Sequence, residues 1–241
     1  MSLTLTPAGT RHAAEIFKSF FEDHRGCRYH HDFLCFRKIF LANQARWLEG
    51  DENATREIAR CLQCVLIHWG ANKRNAPFAG LDQFVARLRE KHFRCAMERL
   101  FASRSVAAVD EDNRARVLKQ LYRLFVPRPK RSTYPTKALM LLCPHVPAFD
   151  SNVREALHCI PAHLRKWDGT AAELLALHKI LEAFWARHGQ HLLGVLQQVN
   201  HEHPAEEWDA CPGRVVDMFL FSVGKRYIEA EEPRLLEWEE P

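Results

Sequence analysis

The stretch Lys130–Leu157 reads KRSTYPTKALMLLCPHVPAFDSNVREAL, and its prolines divide it into helical pieces with turns between them. A basic turn, residues 126–135, leads into a short helix that we expect to begin near Thr136. Pro144 ends that helix, because proline has no backbone N–H to donate. Backbone N–H groups at a helix start, with hydroxyls beside them, favour binding of a phosphate. The candidates for this contact are Lys130, Arg131, Ser132, Thr133 and Thr136.

An extended piece, His145–Phe149, joins the short helix to a second helix expected over Ser151–His158. Asp150 stands directly before this second helix. An aspartate in that position can cap the helix, and the positive end of the helix dipole keeps its carboxylate ionised. From these residues alone, helix capping is the simpler interpretation of Asp150, and His145 is interpreted as an incidental loop histidine.

Apolar residues recur at helical spacing on both sides of this stretch, so we expect an all-α protein. The expected helical faces are, in chain order, Ile16–Phe21, Phe33–Trp47, Ile58–Leu66, Leu81–Leu100, Asn113–Phe125, Leu174–Trp185 and Val215–Val223. Gly70 is expected to end the third helix, and Pro127 with Pro129 the fifth. Thr170–Glu173 has the spacing of a capping box, which opens a long helix towards Gln198. No two alternating apolar runs are joined by a hairpin turn, so no sheet is expected.

The chain has a formal net charge of +4, and its basic residues are concentrated in one segment. Residues 113–149 contain neither Asp nor Glu. Their basic side chains are Arg114, Arg116, Lys119, Arg123, Arg128, Lys130, Arg131 and Lys137. A solvated helix face usually mixes both signs of charge. An acid-free basic stripe is instead typical of phosphate binding, so DNA is the expected partner.

The first residues and the hydropathy of the chain indicate where the protein is located. Residues 1–10 lack a charged region followed by an apolar one, so no signal peptide is expected. No apolar run approaches the ~20 residues that a membrane span needs. We therefore expect a cytoplasmic protein without membrane contact, and by default a monomer.

The 8 cysteines are scattered along the chain, as free thiols are in a reducing cytosol. A zinc site could combine Cys61 and Cys64 with upstream ligands, for which the candidates are Cys27, His30, His31 and Cys35. Cys61 and Cys64 fall within a predicted helix, however, and no second pair follows at the spacing of a zinc finger. We expect free thiols, and neither a metal nor a cofactor.

Two short motifs in the quoted stretch resemble the helix-hairpin-helix DNA glycosylase superfamily. Thr136-Lys137-Ala138 is similar to the K-T-A or K-x-A element that ends the hairpin of the family. Residues 147–157, PAFDSNVREAL, resemble its P-x-D-T-H-V-x-R-V-L motif, whose aspartate is catalytic. Residues 215–225 also resemble the closing helix of divergent oxoguanine-glycosylase-like bacterial proteins.

The chain departs from the family pattern at three points. Ser132–Pro135 stands where the hairpin usually has two glycines. Pro147 lies one residue further from Asp150, and Arg154 one residue nearer, than in the family motif. Lys137 and Asp150 are 13 residues apart (150 minus 137), which is several fewer than is usual. The helix between them must therefore be short.

The resemblance implies two helical lobes with a cleft between them. It divides the chain into an N-terminal lobe (residues 1–110), a hairpin lobe (residues 111–165) and C-terminal helices (residues 166–241) that pack back on the first lobe. The iron–sulfur loop of some relatives is absent, because it needs four closely spaced cysteines and only Cys211 lies in the C-terminal part.

The resemblance also implies roles for individual residues. Asp150 is the expected catalytic carboxylate, which would stabilise an oxocarbenium-like sugar and orient a water molecule. Lys137 would attack C1′ if it is desolvated, and would only neutralise a phosphate, the role that we favour, if it is solvated. Arg154 joins the expected DNA contacts.

A flipped base needs a pocket, and the candidates to line it are Trp69, Asn72, Lys73 and Arg74, of which Trp69 could equally be core. Asp217 is expected to cap or pair structurally, although it could border the pocket.

The function implied is that of a monofunctional DNA glycosylase, without lyase activity, that acts on double-stranded DNA with a modified base. Its use is either repair of an oxidised or alkylated base, or phage defence of the Brig type, which acts on glucosylated hydroxymethylcytosine. The unusual hairpin favours a specialised substrate. The alternatives are a non-catalytic DNA-binding module that keeps the hairpin alone, and an all-α protein-interaction domain, which the acid-free basic segment disfavours.

Overall fold

The computed structural model describes residues 2–71, 77–103, 111–126, 129, 131–167, 170–200, 211–229 and 234–239. Within them the chain is mostly helical, which confirms the predicted all-α class. The helices are α1 (Pro7–Arg11), α2 (Ala13–Glu22), α3 (His24–Glu49), α4 (Glu52–His68), α5 (Leu81–Arg89), α6 (Lys91–Ser103), α7 (Glu111–Arg123), α8 (Thr133–Leu142), α9 (Ser151–Ala156), α10 (Ala171–Val199) and α11 (Pro212–Glu229). Short 3₁₀ turns over Leu157–Cys159 and Ala162–Leu164 follow α9.

The helix ends are determined by local chemistry that the sequence carries. Gly70 has a φ of +93°, a conformation that glycine adopts at little cost, and it ends α4 as predicted. The predicted capping box opens α10: Thr170 Oγ1 accepts from the Glu173 N–H, and the Glu173 carboxylate accepts from the Thr170 N–H.

Four helix bounds differ from those predicted, the smallest difference being that α9 ends at Ala156 rather than at His158. The single helix expected from Leu81 to Leu100 is two helices, because Glu90 has an extended ψ of 121°. The break releases the Leu88 carbonyl, which accepts a hydrogen bond of 3.0 Å from the Trp47 indole N–H. The fifth helix ends at Arg123, before the prolines that were expected to stop it. The short helix begins at Thr133 rather than near Thr136, so Thr136 lies inside it.

A small antiparallel sheet corrects the expectation that no strands would be found. Strand β1 (Ser2–Leu5) pairs with β2 (Leu236–Glu239), with Ser2 opposite Glu239 and Leu5 opposite Leu236. The two strands lie at opposite ends of the chain, so no hairpin signal could mark them. Their pairing is maintained by tertiary packing, because Leu3 and Leu236 are both buried.

The chain divides into two compact units, each of which is described by itself. Unit 1 comprises residues 1–27 and 144–241, and unit 2 comprises residues 28–143. These boundaries fall elsewhere than the expected ones near residues 110 and 165, because residues 1–27 contact the C-terminal helices rather than the helices that follow them in sequence.

The core of unit 1 is formed where α2, α10 and α11 pack together. Phe219 of α11 has its ring centroid 5.7 Å from that of Phe17 on α2 and 6.5 Å from that of Phe184 on α10. The buried face of α11 also packs along α9, so that this short helix is supported over its whole length.

The core of unit 2 is formed by aromatic side chains of α3 and α6. Trp47 is fully buried, and its ring contacts Phe40, Phe93 and Phe101 at centroid distances of 5.7, 6.1 and 6.3 Å. Helix α8 is buried on all sides from Tyr134 to Leu142. In the part of the chain that the structure describes, no helix is long and apolar enough to cross a membrane.

Candidate functional site

Asp150 caps α9 and lies in unit 1. Its Oδ1 accepts hydrogen bonds of 3.0 Å from the backbone N–H groups of both Asn152 and Val153. The side chain is buried, with the residue 6% exposed. The capping interpretation is therefore correct for one carboxylate oxygen. It leaves the catalytic interpretation open, since the same two bonds fix the carboxylate rigidly at the positive end of a helix.

The extended segment before Asp150 is held by α11 and by α9. The Arg214 N–H donates to the Pro144 carbonyl at 3.2 Å. A Cβ on Gly213 would lie 2.4 Å from the backbone nitrogen of Val146, so glycine alone permits this approach. Arg154, a predicted DNA contact, is half-buried and its Nε donates to the Phe149 carbonyl at 3.2 Å. These bonds leave Asp150 at the end of a fixed segment.

Buried side chains surround this segment on its α10 and α11 sides. The ring of Phe149 stacks on His178 of α10 at 4.8 Å between centroids. Arg214 is 1% exposed, and its Nη1 lies 2.5 Å from Asp217 Oδ2. Asp217 thus forms the structural pair that was one of its two expected roles. His145 is half-buried in the segment itself.

The charges of this region influence one another. Burial lowers the pKa of the Arg214 guanidinium, and the negative charges of Asp217 and Asp150 act in the opposite direction. Arg214 is therefore a buried cation whose charge interacts with the Asp150 carboxylate. Arg214 was not among the predicted site residues, although its position three residues before Asp217 on one helix indicates a pair.

Lys137 and Trp69 come together in unit 2, in an aromatic cluster of Tyr29, Trp69 and Tyr134 around the Lys137 ammonium. Lys137 Nζ lies 5.0 Å from the Tyr29 ring centroid, 5.3 Å from that of Trp69 and 5.9 Å from that of Tyr134. The residue is only 5% exposed. This burial corrects the expectation that Lys137 is solvated and neutralises a phosphate. Desolvation is instead the condition stated for its nucleophilic role.

A hydrogen-bonded network fixes the position of Trp69 in the aromatic cluster. Asp32 accepts from Trp69 Nε1 at 3.1 Å and lies 3.3 Å from His68 Nδ1. The Tyr134 hydroxyl donates to the Trp69 carbonyl at 3.3 Å. Tyr29, Asp32 and Tyr134 were not among the predicted site residues. The available signal was their spacing, since Tyr29 with Asp32, and Tyr134 with Lys137, are three residues apart on one helix face.

The predicted phosphate-binding hairpin is only partly accessible. Ser132 and Thr136 are fully buried, and the Thr136 hydroxyl donates to the Ser132 and Thr133 carbonyls at 2.9 and 3.1 Å. The Thr136 hydroxyl therefore stabilises the first turn of α8, inside which Thr136 lies. Arg131 is exposed and Thr133 half-buried. Lys130 lies outside the described residues.

An exposed basic face on α7 was part of the predicted basic segment. Arg116, Lys119 and Arg123 are exposed, and their spacing of three and four residues places them on one side of the helix. Arg123 Nη1 also pairs with Glu90 Oε2 at 3.1 Å. We call this set the α7 basic face.

The predicted base-pocket residues are only partly described by the structure. Of the predicted base pocket, Trp69 is buried in the cluster around Lys137, while Asn72, Lys73 and Arg74 lie outside the described residues. Asp150 belongs to unit 1, whereas Lys137 and Trp69 belong to unit 2. Among the residues that the structure describes, no group of three or more His, Cys, Asp or Glu side chains could hold a metal ion.

No family model matches this chain, and neither the curated proteins nor the solved structures contain a match to it.

Proposed function

We propose that this chain is a DNA glycosylase that flips a modified base out of double-stranded DNA and hydrolyses its N-glycosidic bond, leaving an abasic site. The observation that carries the proposal is the fixed, buried carboxylate of Asp150 at the start of α9, in the motif that resembles the glycosylase aspartate. The proposed enzyme acts as a monomer and needs no cofactor.

Breaking an N-glycosidic bond develops positive charge on the deoxyribose, as in other glycosyl transfers. A carboxylate stabilises that charge most when it is held in place and removed from bulk water. The two backbone N–H bonds of Asp150 supply the first condition and its burial the second. The same carboxylate can orient a water molecule and accept its proton as it attacks C1′.

We propose that the enzyme is monofunctional, because the Lys137 side chain is enclosed within unit 2. Three aromatic rings lie within 6 Å of Lys137 Nζ, and the residue is 5% exposed. An amine enclosed in this way has no open approach to C1′ of the deoxyribose. Borohydride added during base excision is therefore expected to trap no covalent complex with DNA. A trapped complex that is lost in Lys137→Gln would instead identify Lys137 as the nucleophile.

The α7 basic face supports DNA as the partner, because adjacent cations on one helix face match a row of phosphates. Neutralising Arg116 and Lys119 to glutamine is expected to lower the slope of log affinity against log salt by about 2, at roughly 0.9 per phosphate contact. Fluorescence anisotropy with a DNA duplex at several salt concentrations measures this slope. Lys38 and Arg60 are also exposed, so Lys38→Gln with Arg60→Gln makes the matched control. Equal slopes in both double variants would exclude the α7 basic face from the DNA contact.

The substrate is either a damaged base in repair or a modified base in phage defence. The experiment is incubation of the purified protein with normal, oxidised, alkylated and glucosyl-hydroxymethylcytosine DNA, with abasic sites scored by alkaline cleavage. Abasic sites on one substrate would support the proposal and identify the base. Salt-sensitive binding without abasic sites on any substrate would favour the non-catalytic DNA-binding module, for which the capping bonds of Asp150 would be sufficient explanation.

A further inference from the structure

Three cysteines lie along the contact between α3 and α4 in unit 2, and none of them belongs to the proposed DNA contacts or to the proposed site of base excision. Cys35 is on α3, and Cys61 and Cys64 are on α4. All three are free thiols; Cys35 and Cys64 are exposed, and Cys61 is half-buried.

Two contacts between side chains fix the register of these antiparallel helices. Near one end, Asn43 Nδ2 donates to Glu57 Oε2 at 2.9 Å. Near the other, Asp32 Oδ1 lies 3.3 Å from His68 Nδ1. In both contacts the two residue numbers add to 100 (43 plus 57, and 32 plus 68), so the register is the same at both ends.

The cysteines fall between these two contacts and on the same helix faces. On α3 the series 32, 35, 39, 43 advances by three, four and four residues, which describes one face of a helix. On α4 the series 57, 61, 64, 68 advances by four, three and four and does the same. A position level with Cys35 would be residue 65, so Cys64 lies roughly 1.5 Å from that level along the helix axis and Cys61 roughly 6 Å.

The three thiols also differ in their chemical environments. Cys35 Sγ lies 3.5 Å from His31 Nε2, within hydrogen-bonding distance of the imidazole. Burial raises the pKa of Cys61 to about 11, and the neighbouring charges of Cys64, Cys35 and Asp32 act in the same direction. Cys61 therefore stays protonated near neutral pH and is a poor nucleophile.

We propose that Cys35 and Cys64 form a redox-active thiol pair, in which a peroxide oxidises Cys35 and Cys64 then closes a disulfide that links α3 to α4. The Cys35 thiolate attacks hydrogen peroxide, so that an S–O bond forms, the O–O bond breaks and hydroxide leaves as water after taking up a proton. The Cys64 thiolate attacks the resulting sulfenic sulfur, so that the S–S bond forms, the S–O bond breaks and hydroxide leaves, which takes up a proton to become a second water. The two thiols lose two electrons, and the peroxide gains them. This pair does not depend on the proposed glycosylase activity.

The test is mass spectrometry of the whole protein after treatment with hydrogen peroxide and alkylation under denaturing conditions. We expect the intact mass to fall by two hydrogen atoms and the two thiols to escape alkylation. Trypsin should release residues 29–37 joined to residues 61–73, and dithiothreitol should separate them. Peroxide-treated protein that yields only singly oxidised Cys35, without the joined peptides, would overturn the proposal.

Single variants identify the partner of Cys35. Cys35→Ser and Cys64→Ser are expected to abolish the joined peptides, whereas Cys61→Ser retains them. Cys95→Ser is the matched control, because Cys95 is an exposed cysteine on α6, and it should behave as the wild type. Joined peptides that persist in Cys64→Ser would assign the bond to Cys61 and contradict the pair proposed.

A second measurement needs no substitution. Dibromobimane becomes fluorescent only when it bridges two thiols that lie close together, and the reduced native protein is expected to react with it. Prior treatment with peroxide should remove that reaction. If the fluorescence is unchanged by peroxide, the pair does not form a disulfide.

Discussion

Asp150→Asn is expected to reduce base excision by a factor on the order of 10³, within the range of about 10²–10⁴ attributed to a positioned acid–base group or to electrostatic stabilisation of a transition state. Asparagine keeps an oxygen that can accept the hydrogen bonds from the N–H groups of Asn152 and Val153. It is also as good an N-cap as aspartate, so the stability of α9 should be retained. The negative charge that would stabilise the oxocarbenium-like sugar is lost. Alkaline cleavage of the DNA substrate measures the rate, and anisotropy measures the DNA affinity, which should not change.

Asp51→Asn is the matched control for this substitution. Asp51 caps α4 as Asp150 caps α9, since its Oδ1 accepts from the Ala54 N–H at 2.8 Å. Both variants therefore exchange one capping aspartate for asparagine, but only Asp150 lies in the glycosylase-like motif. Excision that is lost equally in both variants would point to a general effect on folding. Excision that survives in Asp150→Asn would contradict the catalytic assignment.

The fold class was predictable because most helices carry their own signals. Gly70 ends α4 and Thr170 caps α10 through bonds within a few residues, so the sequence contains both. The break at Glu90 was not predictable, because it depends on the Trp47 indole binding a carbonyl 41 residues away in sequence. The pairing of Ser2–Leu5 with Leu236–Glu239 is still more remote, and no local pattern marks it.

The candidate site divides in the same way. The capping geometry of Asp150 follows from its place before a helix, and it was predicted. The environment of Lys137 could not be predicted, because its aromatic cluster combines side chains of α3, α8 and the residue that follows α4. The sequence predicts exposure for every basic residue of the basic segment. Only the tertiary structure distinguishes the buried Lys137 from the exposed Arg116 and Lys119.

Gly224→Ala is expected to destabilise the protein by about 3 kcal/mol or more, the range for forcing an extra group into a packed interior. An added Cβ would lie 1.8 Å from the Asn152 carbonyl oxygen and 3.0 Å from the Ala156 nitrogen. Both neighbours are backbone atoms of α9, so no side-chain rotation can relieve the overlap, and α9 or α11 must move. For a chain of this length the loss corresponds to a fall in Tm of roughly 6–12 °C, which differential scanning calorimetry measures.

Gly194→Ala is the matched control, because Gly194 also lies inside a helix but has nothing within 4 Å of the position of an added Cβ. That substitution should stabilise the protein by about 0.5–1 kcal/mol, since alanine loses less backbone freedom than glycine when a helix forms. The two substitutions are chemically identical, so an opposite sign isolates the close approach of α11 to α9. If Gly224→Ala is instead as stable as Gly194→Ala, α11 does not hold the helix that Asp150 caps at the separation described. The rigidity of that carboxylate, on which the proposed mechanism depends, would then lose its structural basis.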